Sequence, residues 1–327
     1  MRYVMALDGG GTKLHCLIAD ENGKLAGAGR GGPTNPNYSS RMKIEEAIRS
    51  AVSGALASGD VDKSRIRLVN ATLIIGERWP LDLIQELLHS KVEIQCPSEM
   101  PISLYGAIQE DYGGLVLSGT GSFAAVRSGA EWMNVGGWGD VLGDEGSGYY
   151  IGQKALMTCA QMVDGVIPSS LLLDRVMEIF EIKNLREMVD KLSRVPPGEK
   201  RTVIASICSI AGWCADRGDP AAADIFGKAA FHLARQLRTA AERCGNHRIP
   251  VTVSGGAWKA TPLFFQAFSH SLKQELPLAE LRRPLFEPVV GGVLLGLRDE
   301  GFPVRERIGE LKRNFSDYAY DEKNFRT

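Results

Sequence analysis

The sequence predicts an α/β fold made of two similar halves. Three observations carry that prediction: an internal repeat, short apolar runs that end in glycine-rich turns, and apolar positions at helical spacing between them. Residues 4–21 read VMALDGGGTKLHCLIADE, and a shift of 110 positions gives GLVLSGTGSFAAVRSGAE over residues 114–131. Leu7 falls on Leu117, Gly9 on Gly119, Gly11 on Gly121 and Glu21 on Glu131. Each copy reads as a β-hairpin, two apolar strands joined by a tight connection that is mostly glycine. Two such hairpins opening two halves of a 327-residue chain predict a duplicated domain with a cleft between the copies.

The remaining elements follow in order. Ile44, Ala47, Ile48, Ala51, Val52 and Ala55 recur at helical spacing, and Gly54 and Gly59 mark where that helix should end. A strand-like run covers Leu68 to Ile75. Pro80 suits a first helical turn ahead of LDLIQELL. Val92 to Cys96 reads as another strand. Asp219 and Pro220 form an N-cap and first-turn pair for a long helix. Its apolar stripe is Ile225, Phe226, Ala229, Leu233, Leu237, Ala240 and Cys244, and Gly245 stops it. Ile249 to Val253 is a strand that runs into Ser254-Gly255-Gly256. The expected domains are 1–115 and 116–300. A charged C-terminal segment, 301–327, is expected to pack back on the first domain as a helix.

Composition narrows the class. Apolar residues make up 44% and charged residues 24%, as in folded globular proteins. The 38 Lys and Arg against 39 Asp and Glu leave a net charge of -1, which supplies no broad basic surface for nucleic acid or an anionic membrane. No apolar run approaches the length of a membrane span. The first apolar stretch meets Asp8 too early for a signal peptide. Cys16, Cys96, Cys159, Cys208, Cys214 and Cys244 are scattered without a C-x-x-C pair, so zinc ribbons, redox sites and disulfide scaffolds lack support. The expectation is a cytoplasmic protein with a small-molecule partner and neither nucleic acid nor membrane, assembled as a homodimer.

The glycine loops carry the chemistry. Asp8-Gly9-Gly10-Gly11-Thr12-Lys13 directly follows a strand. Glycines let backbone N–H groups surround an anion, Thr12 adds a hydroxyl and Lys13 a cation. Asp8 is placed to hold Mg²⁺ through water. Neither the Walker A spacing nor G-x-G-x-x-G is present. Ser118-Gly119-Thr120-Gly121-Ser122 forms a second loop and Ser254-Gly255-Gly256-Ala257 a third. Any one of them alone is consistent with a structural turn. All three at strand ends, in this order, form a far more specific pattern.

That pattern resembles the actin, hexokinase and heat-shock ATPase superfold, with two phosphate loops and an adenosine loop in this order. The resemblance implies two duplicated actin-like (ribonuclease H-like) domains and ATP as the nucleotide. Gly9, Gly10, Gly11, Thr12 and Lys13, then Gly119, Thr120, Gly121 and Ser122, would hold its phosphates. Gly255, Gly256 and Ala257 would border the adenosine. Gly291 to Gly296 resembles the small-residue helix of the superfold's hinge. Residues 136–148 read GGWGDVLGDEGSG, and with SGTGS they resemble N-acetylglucosamine kinases within the BadF/BadG-type ATPase family. By that resemblance Asn35 of Thr34-Asn35-Pro36 and Asp144 would bind an amino sugar, with Gly137 and Trp138 beside it. Trp138 reads otherwise as a packing plug. The implied activity is transfer of the ATP γ-phosphoryl to the 6-hydroxyl of N-acetylglucosamine, glucosamine, N-acetylmuramic acid or a related sugar.

One position departs from the pattern. Such kinases carry an Asp base just after the strand at Val92 to Cys96, where this chain has Cys96-Pro97-Ser98-Glu99-Met100-Pro101. Glu99 occupies the expected place, with a carboxylate about 1.5 Å further out than that of Asp. The alternative is an exposed loop acid. BadF-type activators of dehydratases are disfavoured, because they ligate an iron–sulfur cluster through cysteines and no two here have suitable spacing. A non-catalytic regulator that binds sugar or nucleotide is the other alternative.

Overall fold

A computed structural model of the chain describes residues 1–325 apart from Tyr38 and Ile75. The elements are β1 (Tyr3–Gly9), β2 (Leu14–Asp20), β3 (Leu25–Gly31), α1 (Arg41–Ser58), β4 (Ile66–Thr72), α2 (Trp79–Leu88), β5 (Glu93–Gln95) and α3 (Glu99–Ile108). Then come β6 (Gly113–Ser118), β7 (Ser122–Ser128), β8 (Glu131–Gly136), α4 (Gly139–Leu142), α5 (Gly148–Val163), α6 (Leu171–Ile179) and α7 (Arg186–Arg194). The rest are α8 (Pro197–Ala215), α9 (Pro220–Cys244), β9 (Pro250–Ser254), α10 (Pro262–Glu275), β10 (Glu280–Leu281), α11 (Pro288–Asp299) and α12 (Ile308–Asn314). They form two units. Met1–Asp111 joins Pro284–Tyr320, and Tyr112–Arg283 joins the residues from Asp321 onward.

The first unit is a five-stranded sheet in the order β3-β2-β1-β4-β5. β1, β2 and β3 are antiparallel, while β4 and β5 run parallel to β1. Side chains alternate across β1, so one face buries Met5 and Leu7 against α1 and the other buries Val4 and Ala6 against α3 and α11. All six apolar residues expected to line α1 are buried. Gly54 does not end that helix, which runs on to Ser58 and is capped at Gly59. The stripe continues past Gly54 because α1 lies directly on β3, with the Ala47, Ala51 and Ala55 carbonyls against Gly31, Gly29 and Gly27. β4 ends at Thr72, and the Ile75 end of the expected run lies outside the described residues. Residues 284–300, expected with the second half, belong to the first unit. The cause is the small-residue face of α11: Gly291 abuts the Ile102 carbonyl of α3 and Gly292 the side chain of Ala6.

The second unit repeats the plan with the order β10-β9-β6-β7-β8. β6, β7 and β8 are antiparallel, and β9 and β10 run parallel to β6. The repeat seen in the sequence is therefore a repeat of sheet topology. Between β8 and β9 this unit carries α4 to α9, where the first unit has α1. α9 is capped by Asp219, whose side chain accepts the Ala222 N–H, and it ends at Gly245 with φ 63°. Its stripe is buried except for half-buried Cys244. Among the described residues, no helix is long and apolar enough to cross a membrane.

Candidate functional site

The loop Gly10–Lys13 leads from β1 to β2. Gly10 donates its N–H to the Lys13 carbonyl at 3.2 Å, and Thr34 donates to the Gly10 carbonyl at 2.9 Å. Gly11, Thr12 and Lys13 are exposed. A Cβ built on Gly10 or Gly11 meets nothing within 4 Å. The result is an open turn with a hydroxyl and an ammonium at its rim, which suits an anion. Gly9 differs, because a Cβ there would strike Thr34, Leu73 and Leu14. Packing requires that glycine.

Three carboxylates of the first unit gather by this loop. Asp8 is the penultimate residue of β1, paired across the sheet with His15 and Thr72. Burial pushes its carboxyl up to about 7; Lys13 opposes that shift and Glu287 adds to it. Glu99 is the first residue of α3, behind the N-cap Ser98, and so lies on a helix instead of in the expected loop. Glu99 is exposed as a residue, yet crowding by protein around its carboxyl and then the Asp8 charge push that carboxyl up to about 7. Glu287, just before α11, places Oε2 3.8 Å from both Lys13 Nζ and His15 Nδ1. Nothing local in the sequence singled it out beyond an acid ahead of Pro288.

These residues fit Mg²⁺ held through water. The ion takes one or two carboxylates together with substrate phosphates and keeps several waters. Asp8 and Glu287 supply such carboxylates beside the open Gly10–Lys13 turn. Among the described residues, no three side chains are grouped to ligate a metal directly.

In the second unit the two most specific motifs are one piece of structure. Ser118 Oγ donates to the Gly146 carbonyl at 2.7 Å, and Ser122 Oγ donates to the Glu145 carbonyl at 2.8 Å. Gly119 N–H closes its own turn on the Gly121 carbonyl at 2.9 Å. A Cβ on Gly119 meets open space, but one on Gly121 would fall 2.8 Å from Asp144 Oδ2 and 2.9 Å from Arg201 Nη2. Asp144 is 3% exposed and adopts φ 61°, a left-handed conformation that Asp tolerates. Its carboxylate accepts the Ser122 N–H at 3.4 Å and is paired with the Arg201 guanidinium. Those bonds commit it to the loop, in place of the free hydroxyl acceptor that the resemblance implies.

The third loop packs directly beneath the second. Gly255 has φ 107°, and a Cβ there would overlap the Ser118 carbonyl, so glycine is required twice over. A Cβ on Gly256 meets nothing, while Ala257 is buried and serves packing. Gly136, Gly137 and Gly139 all have positive φ, which accounts for the glycines of GGWG. The Trp138 they flank is 74% exposed and is no packing plug. Asn35 is half-buried in the first unit, and its Oδ1 accepts the Asn37 N–H at 2.9 Å. The structure thus brings Asp8, Lys13 and Glu99 together in one unit, and gathers Gly119 to Ser122, Asp144, Gly255 and Gly256 in the other. Sequence reasoning missed Glu287 and Arg201, both far along the chain from what they touch.

A model of the BadF/BadG/BcrA/BcrD ATPase family matches residues 6–296. The N-acetylmuramic acid/N-acetylglucosamine kinase of Clostridium acetobutylicum is 24% identical, over 90% of this chain and 98% of that protein. The N-acetyl-D-glucosamine kinase of Dictyostelium discoideum is 23% identical over the same shares. Among solved structures, a candidate N-acetylglucosamine kinase from Porphyromonas gingivalis superposes with a TM-score of 0.71 at 20% identity, covering 92% of this chain and all of that one.

Proposed function

From the premise that the chain belongs to the BadF/BadG/BcrA/BcrD ATPase family, we propose that it is an ATP-dependent amino-sugar kinase. It transfers the γ-phosphoryl of ATP to a sugar hydroxyl, the 6-hydroxyl of N-acetylglucosamine or a close relative. The observation that carries this reading is the Asp8, Lys13 and Glu99 group beside the open Gly10–Lys13 loop. The relatives with amino-sugar kinase names, matched over 90% of the chain, add support.

Phosphoryl transfer asks the protein mainly for positioning and for charge where phosphate charge is handled. Lys13, Thr12 and the loop N–H groups of the first unit bind phosphate, and the Gly119–Ser122 loop is the second unit's phosphate loop. Gly255 and Gly256 border the adenosine, with open space at Gly256. Mg²⁺ supplies charge neutralisation on the phosphates, with Asp8 its expected holder through water. Glu99 accepts the proton of the attacking hydroxyl as the new P–O bond forms and the β–γ bridge breaks. A carboxyl pushed up to about 7 is well matched to that task near neutral pH. Asn35 donates to the sugar in the first unit, and Gly137 and Trp138 are the second unit's sugar-binding residues. A cytoplasmic location, where ATP is available, and a homodimer complete the reading.

An ADP-release assay with N-acetylglucosamine, glucosamine and N-acetylmuramic acid, backed by mass analysis of the product, tests it. Sugar-dependent ADP and a sugar phosphate are expected. ATP binding with no product from any of the three would favour a regulator.

A further inference from the structure

We infer that Arg201 is a positioning residue for the second phosphate loop, acting through the buried carboxylate of Asp144. The inference rests on the nucleotide-binding reading above and adds a residue that lies outside its motifs.

The geometry is specific. Arg201 comes from α8, a helix of the segment that the second unit carries between β8 and β9. Its side chain is 16% exposed and that of Asp144 4%, and the two are paired. Asp140 Oδ1 lies 3.9 Å from Arg201 Nε. Directly in front of the pair is Gly121, where a Cβ would sit between 2.8 and 2.9 Å from both charged groups. The next N–H, that of Ser122, is held by Asp144. One carboxylate therefore sets the backbone of the phosphate loop, and one guanidinium sets the carboxylate.

The electrostatics explain why the pair matters more than either member. A carboxylate this buried needs a partner, and removing only the partner leaves an uncompensated charge that is far costlier than removing both. Without Arg201, Asp144 would take up a proton or turn toward water. The turn toward water frees the Ser122 N–H and lets the loop relax, while the protonated form keeps Oδ1 as an acceptor and loses the ion pair that fixes the carboxyl. With both charges gone, the Ser118 and Ser122 hydroxyl bonds to the Gly146 and Glu145 carbonyls still hold the loop. The arrangement thus predicts suppression: the second substitution repairs the first.

The test is the affinity of the full-length chain for a fluorescent ADP analogue with Mg²⁺, which requires no sugar and no turnover. R201M is expected to weaken binding about tenfold or more, and R201M/D144N to return to within about threefold of D144N alone, a non-additive cycle. R201K, which keeps the charge without the planar fork, should fall between wild type and R201M. Should R201M fail to fold, the double variant and R201K still decide the matter, because neither leaves a bare buried carboxylate. Equal affinity of wild type and R201M overturns the inference alone. So does a double variant as weak as R201M beside a D144N that binds well, since Arg201 would then contact the nucleotide itself. Absence of nucleotide binding in the wild-type chain overturns the functional reading and the inference with it.

Discussion

Gly148 donates its N–H to the Gly119 carbonyl at 2.7 Å, joining the GDEGS segment to the SGTGS loop. Gly148 is also the first residue of α5, where Ser147 caps the helix by accepting the Tyr150 N–H. The Ser118–Ser122 loop is thereby fastened to the start of a helix. Its shape is inherited from that anchor and is not free to adapt.

Substitution at Gly121 should expose this rigidity. A Val side chain there would collide with Asp144 and Arg201. Gly121→Val is expected to abolish nucleotide binding while leaving far-UV circular dichroism unchanged. Calorimetric titration with ATP is the measurement, and wild-type affinity would remove the loop from the site.

The helix cap at Asp219 supports the second unit in a different way. Its two carboxylate oxygens accept the Ala222 N–H at 2.9 Å and the Leu172 N–H at 2.8 Å, and the residue is 4% exposed. Asp219→Ala loses a cap and strands a second buried donor, a cost of about 2–4 kcal/mol together. Urea unfolding with unchanged m-value checks it.

How much of this was legible beforehand follows contact distance along the chain. The α1 stripe, the Asp219 cap, the Gly245 stop and the repeated hairpins are local patterns, and each is found where the sequence places it. Arg201 touches Asp144 across 57 residues, and no local pattern announces such a pair. α11 joins the first unit through contacts with Ala6 and Ile102, which composition near residue 291 does not encode. Gly54 reads locally as a stop, whereas it lies within a helix seated on the glycine stripe of β3. Trp138 departs from the burial its apolar character suggests: it is 74% exposed, between glycines with positive φ.

The proton affinity of Asp8 gives a pH test. Its carboxyl is raised from the ordinary 3.8 to about 7, so the folded state holds this proton where the unfolded chain has released it. The stability contribution is full below about 4 and is lost as pH rises through about 7. Metal-free wild-type protein should therefore lose stability over that window more than Asp8→Asn does. Protons should also compete with Mg²⁺, so its apparent affinity should be about tenfold lower at pH 6 than at pH 8. Parallel stability curves for wild type and Asp8→Asn, or a flat Mg²⁺ affinity, would show that the carboxyl titrates normally.

Glu99 carries the sharpest expectation. Glu99→Gln keeps the shape of the side chain and loses proton acceptance. A positioned base contributes about 10²–10⁴-fold, so kcat should fall by that factor while sugar affinity changes little. The alkaline-rising limb of the wild-type kcat profile, expected near pH 7 from its raised carboxyl, should vanish in the variant. Glu99→Asp is the informative companion. Because Glu99 opens α3 behind the Ser98 cap, the helix fixes its Cα, and an Asp carboxylate would fall about 1.5 Å short. A shortfall of that size costs on the order of a hundredfold in a positioned reaction, so Asp should be nearly as poor as Gln. Near-wild-type turnover of Glu99→Gln would make Glu99 a bystander. Asp8, the carboxylate nearest to it in charge coupling, would then be the first candidate for the base.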